Sequence, residues 1–179
     1  MSLKIREQLP FVEEILGERE AVLGLNLSGY KNHVYRMVNF GLAFDALSDK
    51  DEEKMIIAGI FHDLGIWTDK TFDYLPLSIE LSREYLRGID RSDISDHVSQ
   101  MIDEHHKLRS FKGDALTEAF RKADLVDVSL GIVRFGLDAS FVRDVTERFP
   151  NKGFHVGLLK TAGKWFCRHP LNPIPVLKF

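Results

Sequence analysis

Cysteine is nearly absent. Cys167 stands alone among 179 residues, which excludes an internal disulfide framework and a multi-cysteine metal site and fits a reducing cytoplasm. Cys167 itself reads as a small apolar side chain buried on a helix. A dominant charge is missing too: 24 Lys and Arg against 27 Asp and Glu leave a net charge of −3. That is too little for general binding to nucleic acid or an anionic membrane, although small basic pockets fit within it. No apolar run approaches the ~20 residues of a membrane span, and the opening MSLKIREQLP lacks the apolar stretch of a secretory signal. Strand-like alternation, internal repeats and low-complexity segments are absent as well. Proline is scarce, and three of its six occurrences crowd the final HPLNPIPVLKF. That tail is expected to be extended and packed on the surface, where it offers a face for a partner subunit in a homo-oligomer.

What is present is the make-up of an ordinary globule, 44% hydrophobic and 28% charged, long enough for one domain with a single core. The apolar period is helical almost throughout. Pro10 opens a first helix that Gly17 stops. A second runs from about Tyr30 to Leu47. Ser48 and Asp49, followed three residues later by Asp51 and Glu52, start a third, which is read as ending at Gly65. Residues 66–75 read as an aromatic-rich loop. Pro76 opens a helix to about Arg87, Ser92 caps one through His106, Asp114 caps one to about Ser129, and Asp138 a shorter one before Pro150. A last helix covers about 153–167. The expected fold class is all-α: a compact multi-helix bundle with an extended C-terminal tail.

Within this pattern, GIFHDLGIW (59–67) places an imidazole and a carboxylate in an oily run. A buried charge is costly unless it is paired or binds a metal. His62 and Asp63 are not alone. His33 shares a stripe with Met37, Phe40 and Phe44, His105 lies on the face of Ile94, Val98, Met101 and Ile102, and Leu116, Phe120 and Ala123 lead into Asp124 and Asp127. A single such residue reads as a hydrogen-bonded core group. Four separate helices each turning one inward, with only one Cys available, point to a hard or borderline divalent metal held by nitrogen and oxygen. Asp63, placed in the last turn of its helix, sharpens the case, since the helix dipole disfavours an anion there and a cation resolves the conflict.

The order His33, then His62–Asp63, then Asp124 resembles the HD superfamily of metal-dependent phosphohydrolases over about residues 30–130, through NHVYRM, GIFHDLG, MIDEHH and EAFRKADLVD. The resemblance implies a single HD-type domain over 1–179. His33, His62, Asp63 and Asp124 then surround a divalent ion (Mn²⁺, Mg²⁺, Co²⁺, Ni²⁺, Zn²⁺ or Fe²⁺). His105 and His106, with His97 as a further candidate, supply a second ion where one is bound. The implied activity is hydrolysis of a phosphate ester of a nucleotide or other small phosphorylated metabolite, with Asp63 and His62 as the catalytic pair. Arg36, Lys122 and Arg109, with Lys107 beside it, are the cations placed to neutralise a substrate phosphate; each also reads as a surface or stem-packed side chain.

Several branches of the superfamily place a catalytic acid three or four positions beyond the His-Asp pair. Ile66 and Trp67 stand there, and Asp69 is the nearest acid. Trp67, Phe72 and Tyr74 read either as a lid that stacks a nucleobase or as packing of the loop. Two other function classes remain alongside. One is oxygen or hydration chemistry, by a diiron oxygenase or a metal-dependent hydratase or lyase. The other is a non-catalytic regulatory module with a structural metal.

Overall fold

The computed structural model describes residues 4–44, 48–69, 71–171 and 176. Among these there are helices and no strand. They are α1 (Pro10–Gly17), α2 (Glu20–Leu23), α3 (Leu27–Leu42), α4 (Asp49–Phe61), α5 (Leu64–Thr68), α6 (Leu75–Gly88), α7 (Ser95–Glu104), α8 (Ala115–Val128), α9 (Ala139–Arg148) and α10 (Phe154–Arg168). Local chemistry sets several of the starts. Ser48, Asp114 and Asp138 each accept from backbone N–H groups in the first turn of α4, α8 and α9, which satisfies donors that a helix start leaves unpaired. Pro10 and Pro76 occupy first-turn positions of α1 and α6, where a missing N–H costs nothing.

Four helices carry the architecture. α3 packs on α4 and α8, and α7 packs on the same two, closing a ring whose inner faces form the core. α6 covers α7 from outside, and α1 lies across α3 and α4. The apolar stripes expected to point inward do so: Met37, Phe40, Val98, Met101, Ile102, Leu116, Phe120 and Ala123 are all buried, while Phe44, beyond the end of its helix, is only partly buried. The ring therefore brings His33, the end of α4, the end of α7 and the middle of α8 to one place.

The structure departs from the expected elements in several respects. Ser92, expected to cap a helix, instead opens a 3-10 turn, and the α-helix begins at Ser95. The apolar helix from Ser48 does not run to Gly65. It ends at Phe61, and Asp63, at φ −108° and ψ 0°, starts the short α5. The carboxylate thus sits at a junction rather than inside a last turn, and the helix-dipole conflict read from the sequence does not arise. Residues 66–75 are only partly loop, since α5 continues to Thr68. α2 fits four residues between Arg19 and Gly24, too short to show a period. Cys167 is exposed, because the last turn of α10 has no core against that face. The expected second helix, α3, starts at Leu27 and ends at Leu42, earlier than the expected 47, with Ala43 and Phe44 turning off it. Residue 47 itself lies outside the described residues, as do 172–175 and 177–179 of the proline-rich tail. Val176 is buried.

Candidate metal centre

His33 enters the ring from the second turn of α3 and is wholly buried. Its Nδ1 lies 2.6 Å from Asp127 Oδ2, so the imidazole donates there and turns its Nε2 lone pair inward. His62, the residue after α4, does the same with a backbone oxygen: Nδ1 donates to Gly59 O at 2.8 Å. His105, at the end of α7, repeats the arrangement with Ile102 O at 2.6 Å. Three imidazoles on three helices thus spend their Nδ1 protons outward and aim Nε2 lone pairs at a common space.

The inner side of that space lacks protons to share. His33 Nε2 and His62 Nε2 are 3.0 Å apart, and with both Nδ1 atoms protonated they face each other as two acceptors. His105 Nε2 is buried with no hydrogen-bond partner among the described residues. Burial, opposed by the Asp127 carboxylate, lowers the His33 pKa to about 4, so His33 keeps its inward lone pair at neutral pH. A cation between the two nitrogens would relieve the clash.

Carboxylates complete the cluster. Asp63 Oδ2 lies 3.4 Å from His62 Nε2 and 3.9 Å from His33 Nε2, and Asp63 Oδ1 is 3.6 Å from His105 Nε2. Asp124 Oδ1 is 3.8 Å from His33 Nε2 and 4.0 Å from His62 Nε2, and Asp124 Oδ2 is 4.0 Å from His106 Nδ1. Neighbouring ligands on a divalent ion with bonds of about 2.1 Å stand about 3.0–3.4 Å apart, so a small contraction closes this set around an ion. Two groups of donors fall close enough together for that: His33, His62 and Asp63, and Asp63, His105 and His106. Asp63 belongs to both.

Charge points the same way. Arg36 is buried, but its Nε and one terminal nitrogen clamp Asp127 at 2.5 and 2.8 Å, and the other terminal nitrogen donates to Phe149 O. That clamp and His33 outweigh the effect of burial and hold Asp127 well below the usual carboxylate range. Asp63 and Asp124 have no such fixed cation. Burial pushes Asp124 up to about 7. Two buried acids and three lone pairs with no counter-charge match a divalent ion in donor type and in charge.

The HD domain family model matches residues 30–130, more than half of the chain. The chain belongs to the HD family. Searches of curated proteins and of solved structures find no match. Membership makes the metal-dependent hydrolases the broad class to which this HD protein's cluster is compared, while α9 and α10 lie beyond the matched region. α10 nevertheless reaches the cluster: Phe154 stacks on His33 at 4.1 Å between ring centroids, and His155 Nε2 donates to Asp127 O at 2.9 Å.

The cations expected at a substrate phosphate are elsewhere. Arg36 is consumed by Asp127 and Phe149. Its position three residues after His33 puts it on the same buried face, where a guanidinium must be paired. Lys122 points away from the cluster, over Phe44 and Phe135 and toward Glu118. Arg109 is exposed in the segment after α7, and His97 pairs with Asp114 at 3.1 Å outside the cluster. One residue was read for the wrong reason. Tyr74 is buried, donates its hydroxyl to Asp63 Oδ1 at 2.5 Å and touches His106 Nε2. Its position comes from Gly65, where a Cβ would stand 2.8 Å from Tyr74 O and 3.1 Å from Ser78 Oγ. Burial and the Asp63 charge raise the Tyr74 pKa, so it stays a phenol. His106, with 23% of its side chain exposed against 0–6% for the other cluster members, forms the open edge.

Proposed function

We propose that this HD protein is a metal-dependent hydrolase of phosphate esters, acting on a nucleotide or another small phosphorylated metabolite. The observation that carries the reading is the convergence of the His33, His62 and His105 Nε2 lone pairs on Asp63, with every Nδ1 proton committed outward. His33, His62, Asp63 and Asp124 would hold one divalent ion, and Asp63, His105 and His106 a second. Bound there, such an ion makes its water acidic enough to ionise near neutral pH and draws charge from a phosphoryl oxygen.

The chain's own groups supply orientation. Asp127 fixes the His33 ring and its tautomer, and Arg36 fixes Asp127. Tyr74 holds Asp63 Oδ1 by its hydroxyl proton, leaving Oδ2 to face His62 and His33. His106 is the most exposed member of the cluster, so the substrate enters across that edge. Asp63 and His62 are the residues assigned to catalysis.

The test is elemental analysis of the protein as purified, followed by a phosphate-release screen with and without added ions. Full-length protein is expected to hold one or two ions per chain, and Asp63→Ala to lose them together with at least about 10³ of the rate, on the order of 4 kcal/mol. Full activity in a folded Asp63→Ala variant overturns the assignment. Because Asp63 is shared by both donor groups, a second reading stands beside the first: diiron oxygen chemistry. Two irons per chain with oxygen uptake, and no phosphate released, would replace the hydrolase.

A further inference from the structure

A cavity of about 580 Å³ lies between α10 and the segment that follows Asp63, and no member of the metal cluster lines it. Its walls carry Trp67, Phe72 and Trp165 on one hand and Lys164, Arg168 and His169 on the other. No carboxylate is among its lining residues, in a chain whose net charge is −3. One layer separates it from the metal cluster: the ring of Tyr30 is 6.4 Å from that of Trp67 and 6.3 Å from those of His33 and His62.

A further observation says what it takes. On α10, Lys160, Lys164 and Arg168 follow one another at four-residue spacing, and the helix contains no Asp or Glu. Like charges at that spacing are destabilising. The negative end of the helix dipole favours Arg168, but it does not account for a ladder without an acid, and neither Lys164 nor Arg168 has an ion-pair partner among the described residues.

We propose that this cavity is a binding site, separate from the metal centre, for a planar aromatic anion of the size of a mononucleotide. Its ring lies among Trp67, Phe72 and Trp165, and its phosphate meets Lys164 and Arg168. Aromatic walls take a planar ring by stacking, and a paired Lys and Arg take a phosphate by charge-assisted hydrogen bonds. The volume is in the range of small-molecule pockets, about 300–1,000 Å³. The site does not depend on the hydrolase reading, since none of its residues belongs to the cluster.

The chain's two tryptophans are both in this wall, so intrinsic emission reports the cavity directly. The probe is the non-hydrolysable phosphonate analogue of AMP, titrated into the full-length protein, with adenosine and inorganic phosphate as comparators. The expected result is a saturable change in emission, with adenosine and phosphate each binding more weakly. The double variant Lys164→Ala/Arg168→Ala, both exposed positions, is expected to weaken binding about tenfold or more while circular dichroism is unchanged. No saturable change overturns the proposal. So does unchanged affinity in the double variant, which would put the ligand elsewhere. A response to phosphatidylserine vesicles without one to the phosphonate would also overturn it and make α10 a membrane-contact helix.

Discussion

The two halves of the metal cluster are built differently although they share Asp63. On the His33 side every atom that does not face the centre is committed. His33 leans on Asp127, Asp127 on Arg36, Arg36 on Phe149 O, and Phe154 covers the ring. On the His105 side a buried Nε2 has no partner, His106 touches solvent, and a single phenol joins His106 to Asp63. The outer shell of the first half is a support completed by protein alone, whereas the second keeps an unpartnered Nε2 and an edge open to solvent. We infer from the contrast that an ion is held more tightly in the His33 half and exchanges more readily in the His105 half.

The sharpest way to break that contrast is to remove the support. Asp127→Ala leaves Arg36 buried without a counter-charge and frees the His33 ring. Truncating one partner of a buried ion pair costs about 3–5 kcal/mol, and loss of an orienting group behind a metal ligand costs about 10–100-fold in metal affinity. Denaturant unfolding and metal titration read the two effects separately. If Asp127→Ala is as stable as the parent and binds metal as tightly, the His33 half is not the anchored one.

Next comes His105→Ala. If the halves are distinct, metal content falls by one ion where two were bound, the retained ion sits on His33, His62, Asp63 and Asp124, and phosphate release falls by about 10²-fold or more, on the order of 3 kcal/mol. Loss of all metal would mean that the two donor groups form one site. His33→Ala is the converse and is expected to empty the tight half.

Much of this was legible beforehand, for identifiable reasons. Helix periodicity and cap residues are local, so the helices that build the ring were readable, as was the inward placement of His33, His62, Asp63, His105 and Asp124 on apolar stripes. What failed depended on distance. The break between α4 and α5 lies in an unbroken apolar run with no local signal to mark it, and just beyond it Gly65 packs closely on Tyr74 and Ser78 at the start of α6. Asp127 was visible as inward-facing, but its partners Arg36 and His33 are 91 and 94 residues away. Arg36 itself could have been corrected from spacing alone: three residues from a buried His on a helix, it shares the buried face. Tyr74 carried no signal beyond aromaticity, since a phenol that packs and one that donates to a carboxylate look the same in a sequence.

Gly65→Ala perturbs the second half from behind. The new Cβ would meet the Tyr74 carbonyl at 2.8 Å, an approach that backbone cannot relieve by rotating a side chain. Overpacking of this kind costs about 1–3 kcal/mol, measured by denaturant unfolding. It is expected to displace Tyr74, so activity falls while the ion on the His33 half stays bound. A variant with parental stability and activity would show that α5 and α6 can part freely, and that Tyr74 is not held by Gly65.

Tyr74→Phe is the mildest change and the most informative about the second half. The ring remains, so packing against Phe72 is preserved, and only the proton to Asp63 Oδ1 and the contact with His106 are lost. Leaving a buried acceptor unpaired costs about 1–3 kcal/mol. An ion held by Asp63, His105 and His106 would offset part of that, because Asp63 Oδ1 would then turn to the ion. The expected outcome is therefore a small stability loss without ions and a smaller one with them, measured as the difference in unfolding free energy at saturating and zero metal. If the loss is the same in both conditions, Oδ1 does not meet an ion, and the phenol belongs to the fold rather than to the open half of the centre.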